Sequence, residues 1–152
     1  MVTYYLDTSA LLKLYVNETG SQWLHYTLTA DDIRVTAQIA IVEMGSAFNR
    51  RLREDTVTIN DYTRLAGRFR HDCLNLYHFM TLNGPILNIA WNLLERHPLR
   101  SYDSVHLATA LFIQDLLTQA DEAPLTFLSS DLRLNTIALA EGLTVDDPNQ
   151  HP

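Results

Sequence analysis

Four acidic residues stand where carboxylates could do chemistry: Asp7, Glu43, Asp103 and Asp131. Asp7 and Asp131 each follow a short apolar segment that is typical of a buried strand, and Asp103 lies at the predicted start of a helix. Glu43 is predicted to lie in the middle of a helix within a locally apolar stretch, where a glutamate without a partner is rare. If these side chains converge, they form a site for a hard divalent cation.

A cluster of four carboxylates needs a cation, because each pair repels by about 4 kcal/mol at a separation of about 4 Å and an effective dielectric constant near 20. Mg²⁺ suits such oxygen ligands, because it binds one or two carboxylates, keeps several waters and takes phosphate oxygens from a substrate. Mn²⁺ is compatible on the same grounds. No zinc ligand set competes, because Cys73 is the only cysteine and the six histidines are dispersed.

Three of the four acids share a simpler explanation as helix caps: Asp7, Asp103 and Asp131. A carboxylate at a helix N-terminus accepts hydrogen bonds from backbone amides and suits the helix dipole. On that interpretation Glu43 is an exposed residue or the partner in a salt bridge. The hydroxyls of Thr8 and Ser9 also fit helix capping, although either could instead hydrogen-bond a metal ligand or a phosphate.

The elements that must position the acids alternate between strand and helix. Apolar segments rich in β-branched and aromatic residues predict strands near residues 2–6, 32–36, 76–80, 125–129 and 143–145. Capping and helix-start residues predict helices that begin near residues 9, 20, 38, 58, 84, 101 and 130, with Ser101 as the cap of the sixth. This order predicts an α/β fold with a parallel sheet of four or five strands between two helical layers.

The sheet explains how two distant acids can meet. In open α/β sheets, ligands bind beyond the carboxyl ends of the strands. Asp7 and Asp131 directly follow predicted strands, so both lie at that edge.

Length and composition predict one domain. A chain of 152 residues with 47% hydrophobic residues can bury one good core, and we expect residues 1–147 to form it, with residues 148–152 as a short tail. A single cysteine and an N-terminus without a basic or long apolar segment are typical of a cytoplasmic protein. No stretch approaches the roughly 20 apolar residues of a membrane helix, so no membrane association is expected.

The segments that carry the four acids resemble the motifs of the PIN-domain nucleases. In chain order they are residues 7–15 (DTSALLKLY), 41–47 (IVEMGSA), 99–110 (LRSYDSVHLATA) and 127–134 (FLSSDLRL). Their order and intervals agree with the family over essentially the whole chain. Within that family the chain most resembles the VapC-type toxins of bacterial and archaeal toxin-antitoxin pairs.

This resemblance implies a three-layer PIN-like fold and an endoribonuclease that uses Mg²⁺ or Mn²⁺. It also implies a homodimer that a cognate antitoxin holds inactive. We assign Asp7 and Asp103 as the principal metal ligands, with Glu43 binding the metal or orienting a water, and Asp131 assisting through water or a second metal. At the fourth motif Ser129 stands where we expect a threonine, and it keeps the hydroxyl.

The net charge of −7 argues against a nucleic-acid partner at first sight, because Lys and Arg neutralise phosphates. Six of the eleven basic residues, however, lie between Asn49 and Asp72, where the local balance is +2. Three of them follow Glu43 on the same predicted helix and are candidates to hold RNA: Arg50, Arg51 and Arg53. The alternative is a solvated helix face.

Other interpretations of the same residues remain. Asp7 would be the covalent nucleophile of an aspartyl-phosphate enzyme, but Ser9 stands where those proteins have a second acid. A non-catalytic RNA- or protein-binding module would not need the complete acid set. A Ser104 and His106 nucleophile pair is rejected, because these residues project from opposite sides of a helix, and His106 is interpreted as a packing residue near the site.

Overall fold

The structure, a computed structural model, describes all 152 residues. Five strands form one sheet: β1 (Thr3–Leu6), β2 (Ile33–Ala37), β3 (Tyr77–Met80), β4 (Thr126–Leu128) and β5 (Thr144–Asp146). Seven helices connect them: α1 (Thr8–Leu12), α2 (Ser21–Thr27), α3 (Ala40–Arg53), α4 (Ile59–Asn75), α5 (Gly84–Arg96), α6 (Ser101–Gln119) and α7 (Leu132–Ala140). The predicted α/β fold is confirmed, with five strands.

The sheet is parallel throughout, in the order β3-β2-β1-β4-β5. The central strand β1 places Tyr5 between Val35 of β2 and Phe127 of β4. The chain builds outward from β1 through β2 and β3, and later adds β4 on the other side of β1. The carboxyl end of β1 is therefore the point where the strand order reverses, which is where open α/β sheets bind ligands.

Alternating residues of the strands feed two cores, one on each face of the sheet. Tyr5 and Phe127 pack with the apolar sides of α5, α6 and α7. Their neighbours Leu6 and Leu128 pack with α1 through α4. The predicted three-layer arrangement is confirmed, and an acid placed just after β1 or β4 emerges between the two helical layers.

Local capping follows the sequence in some helices and departs from it in others. Thr58 caps α4 in a reciprocal capping box with Asp61, as its sequence position predicts. Ser101 is wrong as a cap: it is the first residue of α6, the cap position is Arg100, and no side chain caps that helix. Helix α3 begins at Ala40, so Glu43 lies in the first turn of the helix and not in its middle.

The last residues fold onto the domain. Residues Pro148–Gln150 form a short 3-10 helix that packs against α2, and His151 stacks on Trp23 with ring centres 3.9 Å apart. Gly20 has a φ of +83°, and a Cβ at this position would lie 2.1 Å from the carbonyl oxygen of Pro148. A glycine is therefore required for this contact.

The two tryptophans have different surroundings. Trp23 is half-buried beneath His151, whereas Trp91 on α5 is 67% exposed and donates a hydrogen bond to Glu95. None of the helices has both the length and the apolar character to cross a bilayer.

Candidate active site

A cleft of about 700 Å³ lies at the carboxyl end of β1, between the N-terminal ends of α1, α3, α6 and α7. It is lined by all four acids that the sequence singles out: Asp7, Glu43, Asp103 and Asp131. Two further side chains of the lining, Arg100 and Tyr102, were not among the sequence-based candidates. The fold thus brings together acids that lie up to 124 positions apart in the sequence.

Asp7 is 5% exposed and is oriented by two hydroxyls. Its Oδ2 accepts hydrogen bonds from Ser9 Oγ at 2.8 Å and from Ser129 Oγ at 3.0 Å, whereas Oδ1 accepts none. Asp7 occupies the cap position of α1, but neither its side chain nor Thr8 or Ser9 caps the helix. The capping explanation is therefore wrong for these three residues.

The two serines also join the first and fourth motifs. Ser129 Oγ accepts a hydrogen bond from the backbone amide of Asp131 at 3.1 Å, and Ser9 Oγ accepts one from the amide of Ser130 at 2.9 Å. Each hydroxyl therefore donates to Asp7 and accepts from the loop that follows β4. Because Ser129 is completely buried, this arrangement fixes Asp7 against the end of β4.

Glu43 approaches Asp7 from α3. Its Oε1 accepts a hydrogen bond from His106 Nε2 at 2.6 Å and another from Thr8 Oγ1 at 3.1 Å, whereas Oε2 accepts none. Glu43 is thus held by two residues from other elements. The alternative of an exposed residue is wrong, and the salt-bridge alternative is the one that the structure shows, with His106 as the partner. Thr8 therefore contributes to the cleft by holding Glu43.

His106 is the functional-site residue that sequence reasoning underestimated. Its ring is completely buried, and Nδ1 bonds the Tyr5 hydroxyl at 2.8 Å. Burial by itself lowers the pKa of His106, but the hydrogen bond that His106 donates to Glu43 and the negative charges of Asp7, Glu43 and Asp103 outweigh it and raise the pKa. Its spacing of three residues after Asp103 on one helix was the available signal, since such residues share a face.

Asp103 and Asp131 share the guanidinium of Arg100. Arg100 Nε donates to Asp103 Oδ2 at 3.2 Å, and Nη2 lies 3.6 Å from Asp131 Oδ2. The guanidinium carbon also stands 4.8 Å from the ring centre of Tyr102. Burial raises the pKa of Asp103, as do the charges of Asp7 and Asp131, and Arg100 opposes this shift. Two like charges and a low-dielectric position therefore favour a cation here.

Only one of the acids caps a helix. Asp131 Oδ1 caps α7, accepting hydrogen bonds from the amides of Arg133 at 3.0 Å and Leu134 at 3.2 Å. Its Oδ2 makes no hydrogen bond and faces Arg100. The capping explanation is confirmed for this acid, which leaves one oxygen for the cleft. It is wrong for Asp103, which lies in the first turn of α6 without capping it.

The donor set fits a hard divalent cation by its chemistry. Asp7 and Glu43 each have one oxygen fixed by hydrogen bonds and one that accepts none, although Asp7 Oδ1 lies 3.9 Å from His106 Nε2. Asp103 has one oxygen free beside the one bound by Arg100. The present rotamers bring no three acidic or histidine side chains close enough together to share an ion. Side-chain rotations are therefore needed before several of these oxygens can surround one cation.

The three candidate RNA-binding arginines do not share one environment. Arg50 is exposed and lines the cleft. Arg51 is tied to Glu18 by an ion pair of 3.3 Å and donates to the carbonyl oxygen of Ala47. Arg53 is exposed but lies outside the cleft lining. Only Arg50 is placed beside the acids.

Comparison with known proteins identifies the family. A family model described as the PIN domain matches residues 4–138. The chain belongs to the PIN-domain family. This PIN domain is also 30% identical over 145 residues to two proteins of Mycobacterium tuberculosis named Ribonuclease VapC45 (strain CDC 1551) and Ribonuclease VapC49 (strain H37Rv), covering 95% of each chain. The resemblance to VapC-type PIN proteins is thereby confirmed.

A solved structure agrees at the level of the fold. A chain of a toxin-antitoxin complex from Klebsiella pneumoniae superposes on this PIN domain with a TM-score of 0.61 at 15% sequence identity. The match covers 95% of this chain and 97% of the other. It supports the architecture described above over essentially the whole chain.

Proposed function

We propose that this PIN domain is a metal-dependent endoribonuclease, the toxin of a toxin-antitoxin pair, which hydrolyses RNA phosphodiester bonds in the cytoplasm. The observation that carries the proposal is the cleft in which Asp7, Glu43, Asp103 and Asp131 meet, with an oxygen left free on the first three. The names of the two ribonuclease relatives support the same activity.

Mg²⁺ or Mn²⁺ is the cation that this all-oxygen set suits, with Asp7 and Asp103 as its principal ligands. Glu43 either binds the cation or orients the attacking water, and Asp131 assists through its one available oxygen. When bound, such a cation lowers the pKa of a water and stabilises charge on the leaving oxygen of the phosphate.

The other residues of the cleft hold these acids and receive the substrate. Ser9 and Ser129 fix one oxygen of Asp7, so the other accepts no hydrogen bond, with His106 Nε2 3.9 Å away. Arg50 is exposed on the cleft wall, where it is placed to bind an RNA phosphate. Arg100 is 65% exposed at its side chain, so it can leave the carboxylates for a phosphate at low cost.

The proposal includes two protein partners. A cognate antitoxin would hold the enzyme inactive, and the superposed chain from a toxin-antitoxin complex supports such a partner. A homodimer is supported by three exposed apolar side chains on α5: Leu87, Trp91 and Leu94. Their helical spacing places them on one face of the helix, which is exposed in the monomer.

Incubation of the purified protein, free of antitoxin, with structured RNAs and Mg²⁺ or Mn²⁺ tests this function. Asp7→Asn and a chelator should each abolish cleavage. Asp115→Asn is the matched control, because Asp115 is an exposed carboxylate on the same helix as Asp103 but outside the cleft. Cleavage that survives both Asp7→Asn and the chelator would contradict the metal-carboxylate mechanism.

A further inference from the structure

A buried pair of residues, Tyr5 and His106, lies beneath the cleft. Both residues are completely buried, and their hydrogen bond of 2.8 Å lies between β1 and α6. The Tyr5 ring stacks on Phe127 at 5.4 Å between ring centres. The polar ends of the pair lead to the cleft, since His106 Nε2 contacts Glu43.

The direction of these hydrogen bonds follows from the acceptor. An ionised carboxylate only accepts, so His106 Nε2 carries a proton and donates to Glu43 Oε1. In the neutral ring Nδ1 accepts from the Tyr5 hydroxyl, and in the imidazolium Nδ1 donates to the oxygen of that hydroxyl, while Nε2 is a donor in both states. In either state the Tyr5 hydroxyl is the partner of Nδ1, so Tyr5 holds the ring with Nε2 directed at Glu43.

The contact spans the two helical layers. Glu43 belongs to α3, which packs on one face of the sheet, and His106 belongs to α6 on the other face. Glu43 itself is partly exposed, and Ile41 and Val42 beside it are exposed. Without the histidine, only the Thr8 hydroxyl would restrain a flexible glutamate side chain that water can reach.

We propose that His106 and Tyr5 are positioning residues, which hold Glu43 at the cleft with its Oε1 occupied and its Oε2 free for the reaction. This inference rests on the proposed ribonuclease function. A histidine that served packing alone would bond groups of the core. His106 instead reaches a carboxylate in the cleft lining, and the Thr8 hydroxyl on the same carboxylate lies 3.2 Å from its Nε2.

Substitutions that place a hydrogen-bonding group at only one of the two ring-nitrogen positions of His106 test the inference. His106→Asn places an amide near Nδ1 and loses the donor to Glu43, whereas His106→Gln places an amide near Nε2 and can keep it. We expect His106→Asn to lower kcat by about 10²-fold with little change in KM, because misplacement of a catalytic group by about 1 Å has that effect. His106→Gln should recover part of the loss.

Tyr5→Phe keeps the ring and its stack on Phe127 and removes only the hydroxyl. We expect a several-fold fall in kcat, smaller than for His106→Asn. The matched control is Tyr15→Phe, which also removes a buried tyrosine hydroxyl, but one that bonds Asp72 and Tyr77. Its kcat should equal that of the wild type. Tyr5→Phe also keeps the test valid if the histidine variants do not fold.

The decisive measurement is a double-mutant cycle with Glu43→Gln. If His106 acts through Glu43, His106→Asn causes no further loss of kcat in the Glu43→Gln background. An equal loss in both backgrounds, or a wild-type kcat in His106→Asn and Tyr5→Phe, would overturn the inference while the ribonuclease function stands. A wild-type protein that cleaves no RNA with either metal would overturn the proposed function, and this inference with it.

Discussion

Two buried hydrogen-bond networks, one on each side of the sheet, use the same kinds of groups for different ends. On the α6 side, the Tyr5 hydroxyl bonds His106, which bonds Glu43. On the α4 side, the Tyr15 hydroxyl donates to Asp72 at 2.6 Å and bonds the Tyr77 hydroxyl at 2.7 Å. Each network joins a tyrosine hydroxyl and a carboxylate that lie far apart in the sequence.

The networks differ in the surroundings of the carboxylate and in whether both of its oxygens have partners. Asp72 is 9% exposed, outside the cleft, and both its oxygens have partners, Tyr15 on one and His71 on the other. The Tyr15 ring packs edge-on against Phe48 and Phe69, which closes that network within an aromatic cluster. Glu43 keeps Oε2 without a partner in the cleft lining.

Burial of a carboxylate therefore does not by itself mark an active site. A carboxylate whose oxygens are all satisfied stabilises the fold, because its hydrogen bonds balance the cost of desolvation. A carboxylate with one oxygen held and one left free in a cleft is arranged for a ligand. Substitutions on the two sides of the sheet should consequently have different effects on catalysis and on stability.

The largest expected difference is in catalysis. Asp103→Asn removes a proposed metal ligand and should lower RNA cleavage by at least about 10²-fold, comparable to the loss of a major electrostatic group in an active site. Asp72→Asn, in the closed network, should cleave at the wild-type rate. Rates from gel-resolved RNA cleavage under saturating metal check both, and equal losses in the two variants would contradict the distinction.

Alkali should weaken the closed network. Burial raises the pKa of Tyr77 to about 12, and the charge of Asp72 adds to the shift. An unfolded tyrosine ionises near pH 10, while the folded one stays neutral, so this contribution to stability is complete below pH 10 and is lost as pH rises toward 12. The loss is roughly 2–3 kcal/mol, since one pKa unit corresponds to about 1.4 kcal/mol.

Urea unfolding between pH 9 and about 12 measures this slope. Tyr77→Phe should reduce it but not remove it, because burial also raises the pKa of Tyr15 and Tyr5. Tyr26→Phe, which alters a largely exposed tyrosine, should leave it unchanged. A slope that is the same in Tyr77→Phe and the wild type would assign the alkaline sensitivity to other groups.

A smaller effect on stability is expected from Asp72→Asn. The amide can still accept from Tyr15, so the variant exchanges a charge-assisted hydrogen bond for a neutral one, at a cost of about 1 kcal/mol in the free energy of unfolding. Chemical denaturation measures it. The corresponding substitution Glu43→Gln should change the unfolding free energy less, because Glu43 is partly exposed to water.

The smallest effect concerns the open side of the cleft. Arg50→Gln should weaken RNA binding a few-fold and reduce the slope of log affinity against log salt by about 1, because one phosphate contact is lost. Arg51→Gln is the matched control, since Arg51 is engaged with Glu18. Binding titrations at several salt concentrations, with catalytically silent Asp7→Asn as background, compare the two. Equal salt slopes would indicate that Arg50 lies on a solvated helix face and does not contact RNA.

Much of the fold was accessible from local sequence. The strand before Asp7, the capping box of Thr58 and the helix end at Gly142, whose φ is +93°, all follow from residue type and spacing. The start of α6 did not, because Ser101 resembles a cap while Arg100 occupies that position. The starting residue of α3 also differed, which moved Glu43 from mid-helix to the first turn.

The site itself divides in the same way. Sequence alone identified the four acids and their order, because strand ends and motif spacing can be recognised from the residue types along the chain. Only the tertiary structure decided which oxygen of each acid is committed: Ser129 reaches Asp7 across 122 positions, and His106 reaches Glu43 across 63. Such contacts depend on how two helical layers meet over the end of β1, and residue spacing along the chain does not encode that geometry.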